Sequence, residues 1–92
     1  MELEISGRHA LVTGGSLGIG HQTAATLAAA GVDVAIVARD AVRLADVADE
    51  LDRASLGHVV AIPGDMSKSD DINRVIIDAG EALGSIHILI NN

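Results

Sequence analysis

The stretch LVTGGSLGIGHQ, Leu11 to Gln22, constrains the fold more than any other part of this chain. It places four glycines within seven residues, behind an apolar run and ahead of an alanine-rich segment. A glycine cluster alone fits a flexible turn. One that joins a strand to a helix, at the start of a βαβ unit, fits a phosphate cradle far better. Such a loop has to turn several backbone N–H groups toward one point, and glycine permits both the positive φ angles and the close approach. The helix that follows adds its unpaired amides and the positive end of its dipole.

The rest of the chain supports that placement. Short β-branched runs at His9–Thr13, Asp33–Ala38, His58–Pro63 and Ile86–Ile90 read as strands, each bounded by Gly, Asp or Ser. Helical patterns alternate with them. The first spans about Ile19 to Ala30 and is stopped by Gly31. The second spans Ala41 to Ala54, with Leu44, Val47, Ala48 and Leu51 on one face, Asp40 as N-cap and Gly57 beyond its end. The third spans Asp70 to Leu83, with Ile72, Val75, Ile76, Ala79 and Leu83 in one stripe, Ser69 or Asp70 as its cap and Gly84 as its stop. Each strand-to-strand connection has the length of a right-handed crossover between parallel strands, so the chain reads as an α/β open sheet.

Composition limits what such a sheet can be. Hydrophobic residues make up 49% of the 92, yet Phe, Trp and Tyr are all absent, so Val, Ile, Leu and Ala must fill the core. That suits strands buried on both faces, and it points to a chain that is part of something larger. A net charge of -7 excludes a nucleic-acid or anionic-membrane partner, which needs clustered Lys and Arg. There is no Cys for a disulfide or thiolate metal site. The start, MELEIS, lacks the features of a signal peptide, and no apolar run reaches the roughly 20 residues of a membrane span. A soluble, cytoplasmic protein is expected.

The glycine spacing separates the nucleotide-binding loops. Gly14, Gly18 and Gly20 follow T-G-x-x-x-G-x-G. This is neither G-x-G-x-x-G nor the ATPase loop, since no Lys follows. Here the sequence resembles the short-chain dehydrogenase/reductase family, and two more stretches continue the likeness. Asp65 and Met66 follow the third strand, where the family keeps an Asp and an apolar residue against adenine, and Ile88–Asn92, ILINN, looks like the family's N-N-A-G motif cut after its second letter. The likeness covers the whole chain. It implies a Rossmann-type three-layer sandwich with a parallel sheet in the order 3-2-1-4, truncated after the fourth strand, with the first two helices on one face and the third on the other. Residues 1–92 would then be the N-terminal part of a single NAD(P)-binding domain.

The resemblance also implies roles. Gly14, Ser16, Leu17, Gly18, Ile19 and Gly20 would line the pyrophosphate, with Thr13 packed or hydrogen-bonded beneath the loop. Asp65 would accept from the adenine amino group beside Met66, Asn92 would lie next to a cofactor ribose, and Asn91 would support the sheet. An NAD site places an acidic residue at the second strand's end, about 20 residues past the glycines, to hold ribose hydroxyls. This chain has Ala38 there, followed by Arg39. A guanidinium suits a phosphate dianion, and in the family a basic residue here goes with NADP rather than NAD. Asp40 is either a ribose ligand or, more simply, the helix N-cap. Leu17 stands where some NADP-binding members carry a second basic residue.

Other residues depart from the family or read as plain surface. Gln22 replaces a small residue and faces solvent or reaches the loop, and His87 replaces a common Asp. His9, His21, His58 and His87 have no metal-ligand spacing, so no metal is expected. Asp46, Asp49 and Asp52 read as a solvated helix face. The family's hydride chemistry uses a Tyr whose pKa a nearby Lys lowers, with a Ser to position substrate. This chain has no Tyr, and its one Lys is Lys68, so no catalytic residue is assigned and the chain alone is expected to be inactive. It is expected to be a homo-oligomer or to be completed by a missing C-terminal half. A non-catalytic nucleotide-binding module and a self-associating module that binds nothing are the alternatives.

Overall fold

A computed structural model of the chain describes residues 7–14 and 18–91. Four strands and three helices alternate: β1 His9–Thr13, α1 Gly18–Ala29, β2 Asp33–Ala38, α2 Ala41–Ala54, β3 Val59–Pro63, α3 Ser69–Leu83 and β4 Ile88–Asn91. All pairs are parallel and the order is β3-β2-β1-β4, as the sequence led us to expect.

The two-residue period of the strands sorts the core into two layers. Ala10 and Val12 of β1 with Val34 and Ile36 of β2 face one side, against Ala24 and Ala28 of α1 and Leu44, Ala48 and Leu51 of α2. Leu11, Ala35 and Val37 face the other, against Val75 and Ala79 of α3 and Ile62 of β3. The central strand β2 is thus covered on both faces, which explains its unbroken apolar run. The buried stripe of α1 is Gly20, Ala24 and Ala28, small enough to let the helix lie close to the sheet in a core without aromatic rings.

The α3 side is less covered. Ile76, Ile77 and Leu89 are 52%, 60% and 64% exposed, and Ile76 and Leu89 line a groove of about 420 Å³ with Leu11, Met66, Ile72 and Ile86 among others. Ile76, read as part of the buried stripe, is therefore mostly outside it. No helix among the described residues is long and apolar enough to cross a membrane.

Several local expectations need correction. The strand expected from Ile86 starts at Ile88, which pairs with Ala10, while Ile86 packs into the α3-side layer. Neither Ser69 nor Asp70 caps α3. Lys68 holds the cap position without a side-chain bond, and the Asp71 carboxylate instead accepts from the Asp65 N–H at 2.8 Å. Asp52 is not simply solvated, because its carboxylate accepts from Val59 N at 2.9 Å and so ties α2 to the start of β3. His9, His58 and His87 sit at or just before strand starts, while His21 is half-buried in α1. The His9 and His87 rings lie tilted at 42° with centroids 5.2 Å apart, and His9 N donates to His87 Nδ1 at 3.0 Å. No group of His, Cys, Asp or Glu among the described residues could hold a metal.

Candidate cofactor cleft

Parallel packing points the carboxyl ends of all four strands the same way, and the residues just past those ends meet in one cleft of about 520 Å³. β1 contributes Thr13 and Gly14, β2 leads into Arg39 and Asp40, β3 leads into Gly64 to Ser67, and β4 contributes Asn91. The chain reverses its direction of winding at β1, between β2 and β4, and ligands of open α/β sheets bind at such a switch point.

The floor is built first. Gly14 has φ +72° and its N–H donates to the Val37 carbonyl at 2.7 Å, bending the chain away from β1 while holding it to the end of β2. Gly18 has φ +54° as it opens α1, and a side chain is strained at either angle. Thr13 is 3% exposed, and its hydroxyl lies 3.0 Å from Asn91 Oδ1, fastening the ends of β1 and β4 together. Asn91 therefore supports the sheet through its side chain.

The wall opposite is charged. Asp40 Oδ1 accepts from Arg43 N at 3.1 Å, and the Asp40 carbonyl accepts from Leu44 N at 2.9 Å. Asp40 is thus the N-cap of α2. That cap turns the first helical turn so that Arg43 joins Arg39 in lining the cleft. Arg43 was missed in the sequence. Its signal was the spacing of one helical turn from Arg39, across a good cap.

Asp65 and Met66 line the third side. Asp65 Oδ1 accepts from Ser67 Oγ at 2.6 Å and from Ser67 N at 3.0 Å. These two bonds, the side-chain one foremost, hold the Asp65 carboxyl below its ordinary range. Desolvation opposes them, and the positive charges of Arg39 and Lys68 add smaller contributions in their favour. Met66 is half-buried against the α3-side layer.

Of the residues singled out in the sequence, Gly14, Arg39, Asp65 and Met66 meet in the cleft. Gly18 and Gly20 form the first turn of α1, with Gly20 buried. Ile19 is 75% exposed and borders a separate shallow groove along α1 with Gln22, which faces solvent. Ser16, Leu17 and Asn92 lie outside the described residues.

The family model for short chain dehydrogenases matches residues 8–92. The chain belongs to that family. Short-chain dehydrogenases are oxidoreductases that use nicotinamide dinucleotide cofactors. Among the similar proteins is the rhamnolipids biosynthesis 3-oxoacyl-[acyl-carrier-protein] reductase of Pseudomonas aeruginosa, 44% identical over 88 residues, which are 96% of this chain and 34% of the relative. Another is the glucose 1-dehydrogenase of Gluconobacter oxydans, 37% identical over 95% of this chain and 33% of the relative. Among solved structures, the L-sorbose reductase from Gluconobacter frateurii, complexed with NADPH and L-sorbose, superposes with a TM-score of 0.95 at 32% identity. The match covers 100% of this chain and 35% of that one. The Pseudomonas aeruginosa RhlG/NADP complex gives 0.88 at 45% identity, covering 96% and 35%. The chain spans about a third of the length of the relatives it matches.

Proposed function

We propose that this chain is the NADP-binding, N-terminal part of a short-chain dehydrogenase, with residues 1–92 forming one portion of a single dinucleotide-binding domain. The observation that carries the reading is the pair Arg39 and Arg43 on a cleft whose adjacent carboxylate, Asp40, is committed to capping α2. A ribose with two free hydroxyls calls for a free carboxylate at this strand end, and a 2′-phosphate calls for guanidinium groups. The NADP and NADPH bound in two of the similar structures support the same choice.

In this reading Arg39 and Arg43 grip the 2′-phosphate. Asp65 accepts from the adenine amino group and Met66 packs beside the ring. Gly14, Ser16, Leu17, Gly18, Ile19 and Gly20 line the pyrophosphate, and Asn92 lies beside a ribose of the cofactor. When bound, the nicotinamide supplies two-electron redox chemistry toward a carbonyl or alcohol. These residues bind and orient the coenzyme. None of the 92 is a tyrosine, so proton transfer to substrate is not assigned to any of them. That same lack supports a second reading, a nucleotide-binding module without catalysis. The exposed Ile76, Ile77 and Leu89 support a covering partner, whether another copy or more of the same protein.

Fluorescence titration with NADPH and NADH tests the assignment, and the absence of Trp and Tyr leaves the coenzyme emission without protein background. The expected result is NADPH binding at least about tenfold tighter, the yield of one net charged hydrogen bond. Equal affinities would refute NADP selectivity, and no binding of either would refute the site.

A further inference from the structure

The turn between β3 and α3 presents Asp65 to the cleft, yet nothing in that turn is held by regular secondary structure. Gly64 N donates to the Ala38 carbonyl at 3.0 Å and Lys68 N to the Asp65 carbonyl at 3.0 Å, and α3 adds two side-chain holds on the same backbone. The Asp71 carboxylate accepts from the Asp65 N–H through Oδ2 at 2.8 Å. One turn further along, Arg74 donates from Nη2 to the Pro63 carbonyl at 2.7 Å, and the same Nη2 lies 3.9 Å from Asp71 Oδ1. Arg74 is itself steadied by Asp78 at 3.2 Å. Two side chains of one helix therefore grip the backbone on both sides of Gly64. Gly64 leaves no slack, since a Cβ there would stand 2.7 Å from Val75 Cγ2 and 3.2 Å from Arg74 Nη2. With Arg39, these residues enclose a second hollow of about 350 Å³ next to the cleft.

The side chain of Asp65 is fixed separately. Ser67 takes Oδ1 through both its N–H and its hydroxyl, which leaves Oδ2 with no hydrogen bond among the described residues. A carboxylate held by its backbone from one direction and by one oxygen from another is preset to receive a single donor on the other oxygen.

We propose that Asp71 and Arg74 are positioning residues that set Asp65 Oδ2 for the amino group of the adenine base. The proposal rests on the cofactor reading above, in which Asp65 is the adenine acceptor. Asp71 and Arg74 do not touch the base. They fix where the acceptor stands, and an acceptor displaced by about an ångström loses a directional bond whose donor angle must exceed about 150° to be strong.

The test compares NADPH with its hypoxanthine analogue, which carries a carbonyl oxygen in place of the amino group. Dissociation constants are measured for the wild type, Asp71→Ala, Asp71→Asn and Arg74→Met, with circular dichroism to confirm folding. The wild type should prefer the adenine form about tenfold, as one charged hydrogen bond implies. Asp71→Ala should bring that ratio below about threefold. Asp71→Asn should restore it, because its amide oxygen can still accept from Asp65 N–H. If Asp71→Ala does not fold, Arg74→Met, which keeps the aliphatic stem, carries the same expectation. A ratio that survives the loss of Asp71, or of Arg74 where that variant must decide, would overturn the positioning role. So would an equal weakening of both coenzymes, the mark of a purely structural contact. A wild type that binds both forms equally, or neither, would overturn the adenine assignment of Asp65 itself and the proposal with it.

Discussion

Reversing the charge at Arg39 is the sharpest probe of the cleft. Arg39 is exposed at the end of β2 and makes no hydrogen bond among the described residues, so replacing it with Asp removes a cleft-lining group and disturbs internally only its charge near Asp65. A bidentate, charge-assisted contact to phosphate contributes about 1.5–3 kcal/mol net. Water surrounds the site, and at about 4 Å in high dielectric a pair of unit charges adds only about 1 kcal/mol. Adding a repulsion of that size to the lost contact brings the loss to about 2.5–4 kcal/mol, or on the order of 10² to 10³ in NADPH affinity. NADH has hydroxyls where NADPH has the phosphate, and a new carboxylate can accept from them, so its affinity should hold or rise. Arg43→Ala should cost less, about tenfold for NADPH, because only one of two cations is lost. Both effects should shrink as salt rises, since the Debye length falls from about 10 Å at 0.1 M to 3 Å at 1 M. The readout is coenzyme emission on titration. If Arg39→Asp leaves NADPH affinity unchanged, or lowers NADPH and NADH together, the arginine pair does not read the 2′-phosphate.

Three further outcomes follow from the structure. Thr13→Val should destabilise the protein by about 1–2 kcal/mol in urea unfolding, because a buried bond to Asn91 is lost, and Thr13→Ser should recover most of it. Gly57→Ala should cost about 1–3 kcal/mol or more, since the new Cβ meets the Val32 carbonyl in the backbone itself while Gly57 N stays tied to Ala28 O at 3.0 Å; an unchanged midpoint would contradict the packing there. The depressed carboxyl of Asp65 contributes stability that is present above the unfolded-state value near 3.8 and is lost as pH falls through the lower folded value. Carboxyl NMR should therefore place its midpoint below that of a free Asp, and Ser67→Ala should move it up.

How much of this was legible in the sequence depends on the range of the interaction. The helix over Ala41–Ala54 and its Asp40 cap are local facts, set by a 3.6-residue period and by one carboxylate reaching three residues ahead. The sheet order needed more, and came from the glycine spacing and the family likeness together. Asp71 looked like part of a helix start, and only tertiary structure shows that its carboxylate is spent on the Asp65 backbone. Asp52 looked like one of three solvated carboxylates, because nothing in an i, i+3, i+6 series reveals that β3 begins beside one of them. Ile76 lies in a stripe that the period marks as core, but a helix face is buried only where something stands against it, and sequence period does not say what that is.

The same distinction explains how this cleft came to carry two arginines. Arg39 announces itself, since it directly follows β2, at the strand end where the proposed reading puts the 2′-phosphate. Arg43 reads on its own as an ordinary helix residue with an exposed side chain. The two become one feature only because Asp40 caps α2, and the cap fixes the direction of the first turn relative to the end of β2. Removing the cap should therefore impair phosphate recognition without touching either arginine. Asp40→Ala should cost about 1 kcal/mol of stability and should also reduce the preference for NADPH over NADH, while Asp40→Asn, itself a good cap, should preserve both. If Asp40→Ala lowers stability and leaves coenzyme preference intact, the two arginines act independently and the cap does no more than hold the helix.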